Sequence, residues 1–371
     1  MIHWLRKSLC ATVICLSGAA GAQVTGGQHV FEFLRLPQSP HISALGGINV
    51  SNPSQEIALA LQNPALMRPA LHNELGLTYD SYYSGISIAN LAYGYHVPKL
   101  DNTSFVLGIQ YLNYGSFDVT DVVGNSIGSI RATDFALSLG ASHAYGERWR
   151  YGGALKLAYS SLGGNTAAGL MADVGISYFD TTNLISFGAC AKNIGFMLQH
   201  YNGGAAEPLP FDLQMSISKR FAHLPLRVMA TLHHLYEWDV RYNNPADIES
   251  NSLLGSPDSS SVTGSHFADK LFRHFIFAAE LVPGNRLTLT VSYNHLHRGE
   301  LAIKDKTGLA GFAFGVGLNL NKFKIHYARS YYHIAGAYNE FGLSMSLGKI
   351  TGIGHATEKW GWSKDYPEKD L

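Results

Sequence analysis

The 371-residue chain has little cysteine, no long apolar run and no excess of charge of either sign, and each shortage excludes something. Of its three cysteines, Cys10 and Cys15 fall within residues 1–22. There Arg6 and Lys7 precede an apolar run from Leu9 to Leu16 and the small-residue site Ala20-Gly21-Ala22, the parts of a secretory signal peptide. The apolar part is too short to span a bilayer, and the residues before the two cysteines do not form a lipoprotein cleavage site. Gln23 is expected to begin the mature chain, which leaves Cys190 alone. With no internal disulfide available, an exported chain must rely on a large sheet or core.

Beyond the signal, no apolar stretch approaches the roughly 18 residues of a membrane helix. That excludes a helical membrane protein. Lys and Arg together number 27, as do Asp and Glu, and two of the cations lie in the signal. The mature chain is therefore slightly acidic, which argues against nucleic acid as a partner.

What the chain has is glycine, 39 residues of it, and frequent aromatics punctuating short alternating runs. This is the pattern of an all-β protein. The stretch from Phe275 to His295 shows the unit. Two alternating runs meet at Pro283-Gly284-Asn285, and a register that sets Leu281 opposite Leu287, Ala279 opposite Leu289, Phe277 opposite Val291 and Phe275 opposite Tyr293 gives one apolar face. Glu280, Arg286, Thr288, Thr290, Ser292 and Asn294 fall on the other, where Glu280 and Arg286 are placed to pair or to hold a plug. Such a ribbon can cover a soluble core or stand between lipid and a polar lumen.

The connections decide between these. The alternation predicts strands near 75–82, 86–97, 103–114, 129–144, 149–161, 167–179, 184–193, 209–221, 225–238, 271–282, 286–298, 309–320, 322–332 and 338–348. Most are long enough for a tilted strand to cross a bilayer, and their number is even. Tight turns (99–102, 146–148, 180–183, 222–224, 283–285 and Asn321) alternate with mostly longer loops (115–128, 162–166, 194–208, 239–270, 299–308 and 333–337). A soluble sandwich has no reason to sort its loops this way, whereas an outer-membrane barrel does. The expected fold is all-β, a transmembrane 14-stranded antiparallel outer-membrane β-barrel with an N-terminal plug-like segment. Residues 1–22 are the signal, 23–73 the plug or periplasmic segment, 74–349 the barrel and 350–371 a periplasmic tail. Long loops are expected at the cell surface and both termini in the periplasm.

In the last strands, Phe312, Phe314, Val316, Leu318, Leu320, Phe323, Ile325, Tyr327, Phe341, Leu343, Met345 and Leu347 form the outward set. Gly311, Ala313, Gly315, Gly317, Asn319, Gly342, Ser344, Ser346 and Gly348 leave room inside, for a channel or for the N-terminal segment. Tyr145, Trp149, Tyr151, Tyr178, Tyr236, Trp238, Tyr331 and Tyr332 read as interface girdles. Residues 24–73 do not alternate. They carry a helix signal at Gln55 to Leu61 and a cap at Asn63-Pro64.

No catalytic, metal or cofactor residue is assigned. Gly124-Asn125-Ser126-Ile127-Gly128 has the G-x-S-x-G spacing, but a nucleophile elbow needs a strand before it and a helix after it, and this one falls in a loop between strands. His295 and His297 share a strand face, with His233-His234 on another strand, yet no carboxylate or cysteine recurs at matching spacing. They read as interface histidines.

A resemblance rests on Phe31-Glu32-Phe33-Leu34-Arg35-Leu36-Pro37-Gln38-Ser39-Pro40-His41, on Ala44-Leu45-Gly46-Gly47 with Asn49-Val50-Ser51, and on Asn63-Pro64-Ala65-Leu66. These resemble the PorV/PorQ branch of the FadL-like barrel superfamily, and within it the PorQ family of the Bacteroidetes type IX secretion system. Asn63, Pro64 and Ala65 are widely shared in the superfamily. Phe33, Leu34, Leu36 and Pro37, with Leu45, Gly46 and Gly47, are closer to the branch. Unlike many barrels, which end on an aromatic residue of the last strand, this chain runs on to Leu371. The resemblance implies a non-enzymatic role in the attachment complex, anchoring a PorZ-like surface protein, with PorU and PorV in a larger complex that joins cargo to lipopolysaccharide. The expected contacts lie on the outer loops 194–208 and 239–270, at Tyr201, Tyr242, Leu253, Leu254 and Phe267. The alternative is a FadL-like outer-membrane channel for hydrophobic compounds.

Overall fold

The computed structural model describes residues 29–97, 100, 103–201, 207–240, 266–284, 286–300, 308–333 and 336–351. The signal, Tyr242, Leu253, Leu254 and the tail from residue 352 lie outside the described residues.

Fourteen strands close into one barrel, each antiparallel to its sequence neighbours, with β1 pairing β14 at the seam. They are β1 (Glu74–Ser81), β2 (Ser87–His96), β3 (Thr103–Thr120), β4 (Ser126–Tyr145), β5 (Trp149–Leu162), β6 (Asn165–Asp180) and β7 (Ile185–Gln199). The second half comprises β8 (Asp212–Arg220), β9 (Leu226–Leu232), β10 (Phe275–Leu281), β11 (Leu287–Asn294), β12 (Phe312–Asn319), β13 (Phe323–His333) and β14 (Gly336–Ser346). Short helices are α1 (Pro40–Ala44), α2 (Leu59–Gln62), α3 (His266–Arg273), α4 (His295–Glu300) and α5 (Leu347–Thr351). No described helix is long and apolar enough to cross a membrane.

The alternation sorts the wall as expected. Phe314, Val316, Leu318, Phe323, Ile325, Phe341 and Leu343 are exposed on the outer face, while Ala313 and Ala328 are buried inside. The short turns gather at the end where β1 begins, and the longer connections gather at the other.

Several expectations need correction. In the β10–β11 hairpin Leu281 pairs with Leu289, Ala279 with Val291 and Phe277 with Tyr293, two residues from the expected register. The faces survive because the slip is an even number. Pro283 has no N–H to give the ladder, and β11 starts beyond the end of β10, pairing Leu287 with Leu318 of β12. Arg286 is exposed at the turn and is not the partner of Glu280; Arg227, directly opposite on β9, is.

β11 stops at Asn294, whose side chain accepts from the N–H groups of Leu296 (3.1 Å) and His297 (3.3 Å) and so caps α4. His295 and His297 are therefore helical and do not continue a strand. β9 ends at Leu232, six residues before its expected end, and His234 takes a positive φ of 54°. Much of the 115–128 loop is strand, since β3 and β4 continue beyond their neighbours and turn at Asp121 to Asn125. Residues 194–199 likewise extend β7. Tyr332 is buried inside the barrel and not part of a girdle, because the β13–β14 register shifts between Ser330 and His333.

Candidate functional site: a plug pinned in the lumen

Residues 29–73 run through the barrel interior before entering β1. At the long-loop end, Phe31, Phe33 and Leu34 pack with Ile88, Leu112, Ala136, Ala158 and Met171 of five strands. Midway, Ile42, Leu45, Leu59 and Leu66 meet Met229 and Ala278. Toward the short-turn end, Ile57, Leu61, Met67 and Leu71 meet Ala92 and Val106. The plug is thus a second layer whose apolar residues use the inner wall as their core.

Each motif residue has a place in this layer. Phe33, Leu34, Pro37, Leu45, Gly46, Gly47, Asn63, Pro64 and Ala65 are buried, and Leu36 is half-buried. Ser39 caps α1, its Oγ accepting from Ile42 N at 3.3 Å, with Pro40 at the first helical position. After α1 the chain reverses through Gly46 and Gly47, both at φ 94°, and a Cβ on Gly46 would stand 2.4 Å from Ile276. Asn63 accepts from Ala65 N (3.0 Å) and donates to Val50 O (2.8 Å) and Ile176 O (3.1 Å), joining two plug segments to β6. Helix α2 is shorter and later than the 55–61 signal, while the Asn63-Pro64 cap is as read.

The wall is carved to fit. A Cβ on Gly188 would lie 1.8 Å from Val50 O, one on Gly175 2.0 Å from Asn63 Oδ1, and one on Gly315 2.4 Å from Ala44 Cβ. At these three positions the missing side chain is the space the plug occupies.

Charge fixes the same contact. His41 Nε2 meets Glu280 Oε1, and Asn52 Nδ2 donates to both Glu280 oxygens at 3.3 Å. Arg227 bridges Asn52 Oδ1 (2.7 Å) and Glu280 Oε2 (3.3 Å). Glu56 pairs with His326 at 3.1 Å, and the His326 ring stacks on His41. Lys324 donates to Glu74 (2.7 Å) and to Gln55 O (2.6 Å), Lys192 to Gln62 (3.2 Å), and Ser43 to Glu340 (2.6 Å). Nearly all of these groups are buried, where an unpaired charge is costly, so the pairs specify one plug position. Apart from Glu280, sequence reasoning missed them. The available signal was an ionisable residue on the inward register of a strand otherwise lined by small residues, as at His326 and Glu340.

The expected loop contacts are spread out. Tyr201 turns toward the lumen, its hydroxyl donating to Ser160 Oγ at 2.6 Å beside the Phe31 cluster. Phe267 in α3 is exposed, with Trp238 against one side. α3 is tied to α4 by Asp269, which pairs with Arg273 (2.9 Å) and His295 (3.3 Å). Partial burial works to raise the Asp269 pKa, and Arg273 and His295 outweigh it, holding the carboxyl below its ordinary range. Ser126 of the G-x-S-x-G spacing opens a β-strand, with no helix after it to make an elbow.

No protein-family model matches this chain, and no curated protein sequence does. Solved structures do match. The toluene transporter TbuX of Ralstonia pickettii superposes with a TM-score of 0.50 at 14% identity, covering 85% of this chain and 98% of that one. The toluene transporter TodX of Pseudomonas putida (TM-score 0.45, 14% identity, 82% and 95% covered) and a FadL homologue of Pseudomonas aeruginosa (0.42, 10%, 88% and 99%) are similar at lower scores. The likeness to TbuX is one of fold, here a closed antiparallel barrel of fourteen strands. A closed wall with an apolar outer face is the form in which β-strands cross a bilayer.

Proposed function

We propose that this barrel is the outer-membrane anchor of a type IX secretion attachment complex, of the PorQ kind. In this reading the long-loop end faces the cell exterior and holds a PorZ-like surface protein, with PorU and PorV in the larger assembly and both termini in the periplasm. The observation that carries it is the pinned plug. The motif residues that resemble the PorV/PorQ branch all lie in a segment that fills the lumen and is fastened by ion pairs to β10 and β13 and by the Arg227–Asn52 hydrogen bond to β9. A barrel built this way presents a rigid rim on which loops can order against a partner. Deleting residues 245–266 should leave the barrel in the membrane and release the surface protein. Undiminished co-purification of a PorZ-like protein with that deletion variant would count against the loop assignment.

A second reading, a channel for hydrophobic compounds, draws on the fold shared with TbuX, itself a toluene transporter. It requires the plug to move. Liposomes containing the purified barrel separate the two: uptake of toluene that stops when the plug is cross-linked to the wall supports the channel, and toluene exclusion supports the anchor.

A further inference from the structure

Asp80 in β1 and Glu340 in β14 stand directly opposite each other at the seam where the first and last strands close the barrel. Both turn inward and are buried, at 2% and 1% exposure. Four other buried carboxylates of the lumen have a cationic or histidine partner: Glu280 has Arg227 and His41, Glu56 has His326, Glu74 has Lys324 and Asp173 has Lys156. For the seam pair, the partners found among the described residues are hydroxyls: Ser43 Oγ donates to Glu340 Oε1, and the Tyr338 hydroxyl stands within reach of Glu340. Asp80 Oδ1 and Glu340 Oε2 are left without a hydrogen bond.

A second observation points to the same place. The hydroxyls of Tyr332 and Tyr338 are buried beside each other without a well-formed hydrogen bond, and their rings lie 5.3 Å apart. Tyr338 sits two positions from Glu340 on the same inward face of β14, so its hydroxyl stands against the carboxylate pair. Two facing carboxylates, each with an unpartnered oxygen and bordered by buried hydroxyls, make an all-oxygen site with a deficit of positive charge.

We propose that Asp80 and Glu340 bind a hard divalent cation of the Ca²⁺ class at the barrel seam. Two carboxylates balance its charge, Ser43 orients Glu340 from the plug, and the tyrosine hydroxyls with water fill out the oxygen shell. The absence of imidazole and thiolate among these groups disfavours zinc, and the carboxylate pair suits an ion that prefers oxygen. The cation clips β1 to β14 and, through Ser43, to the plug.

The test uses the full barrel purified from membranes into detergent. After exchange into metal-free buffer, elemental analysis should find roughly one Ca²⁺ or Mg²⁺ retained per barrel. EDTA should lower the temperature at which the barrel loses its heat-modifiable gel mobility by several degrees, and added Ca²⁺ should restore it. D80N/E340Q should hold no ion and respond to neither reagent, while D121N, which changes an exposed loop carboxylate, should behave as wild type. A wild-type barrel without bound metal and without a Ca²⁺ response overturns the proposal and leaves the carboxylates sharing a proton. An equal Ca²⁺ response in D80N/E340Q overturns it in favour of binding elsewhere. If D80N/E340Q does not assemble, the metal content and Ca²⁺ response of the wild-type barrel decide alone.

Discussion

Glu280 of β10 lies directly opposite Arg227 of β9, and Asn52 of the plug hydrogen-bonds to both. The wall pair and the plug are therefore one electrostatic unit, completed by His41. Glu280→Ala leaves Arg227 buried without its carboxylate and should destabilise the plugged state by about 3–5 kcal/mol, the usual cost of breaking a buried pair. Urea titration of the barrel in detergent, with trypsin cleavage after Arg35 reporting plug release, measures it. The double variant E280A/R227A should cost less than the sum of the two single changes.

Glycine at the plug contact is the second target. Gly188→Ala would put a methyl group 1.8 Å from Val50 O, a backbone atom with no rotamer to escape by. The plug should shift or be expelled, seen as faster proteolysis of residues 29–73. Gly128→Ala is the control, since nothing lies within 4 Å of its Cβ position, and it should behave as wild type.

Asn63→Ala removes a cap and two side-chain donations to buried carbonyls, of Val50 and Ile176. The expected loss is about 2–4 kcal/mol, combining a cap with unsatisfied buried carbonyls. Hydrogen exchange should speed up in the plug more than in β6, because the strand keeps its ladder bonds to β5 and β7.

The α3–α4 contact should depend on pH at the acid end. The Asp269 carboxyl is depressed in the folded chain, so its contribution is full above the unfolded carboxylate value, about 3.9, and is lost as pH falls through the lower folded value. The protection of residues 266–273 against hydrogen exchange, relative to the intrinsic rate at each pH, should be unchanged between pH 7 and about pH 5 and fall only in stronger acid. A loss of protection already present near neutrality would remove Asp269 from this role.

Strand faces were readable because a period of two survives any even slip. The β10–β11 hairpin shows this, with a register displaced by two residues and both faces correct. Strand ends were less readable. At Asn294 the alternation continues on paper into His295 and His297, while the side chain of Asn294 caps a helix and its amide donates to Gly46 O at 3.2 Å. A competing local hydrogen bond ended the strand, and hydropathy carries no trace of it.

Composition and alternation determined by themselves that this chain is all-β and two-faced. Those properties depend on residue type and on the geometry of a single strand. Loop sorting added closure into an even-stranded barrel, a consequence of how hairpins must alternate between two ends. Only the tertiary structure decided that the lumen is filled, which glycines give way to the plug, and which cation meets which carboxylate. Those facts join residues as far apart in sequence as Ser43 and Glu340, and no local propensity couples such positions. Glu280 read as an inward charge on one hairpin; the folded barrel made it the point where β9, β10 and the plug are tied together.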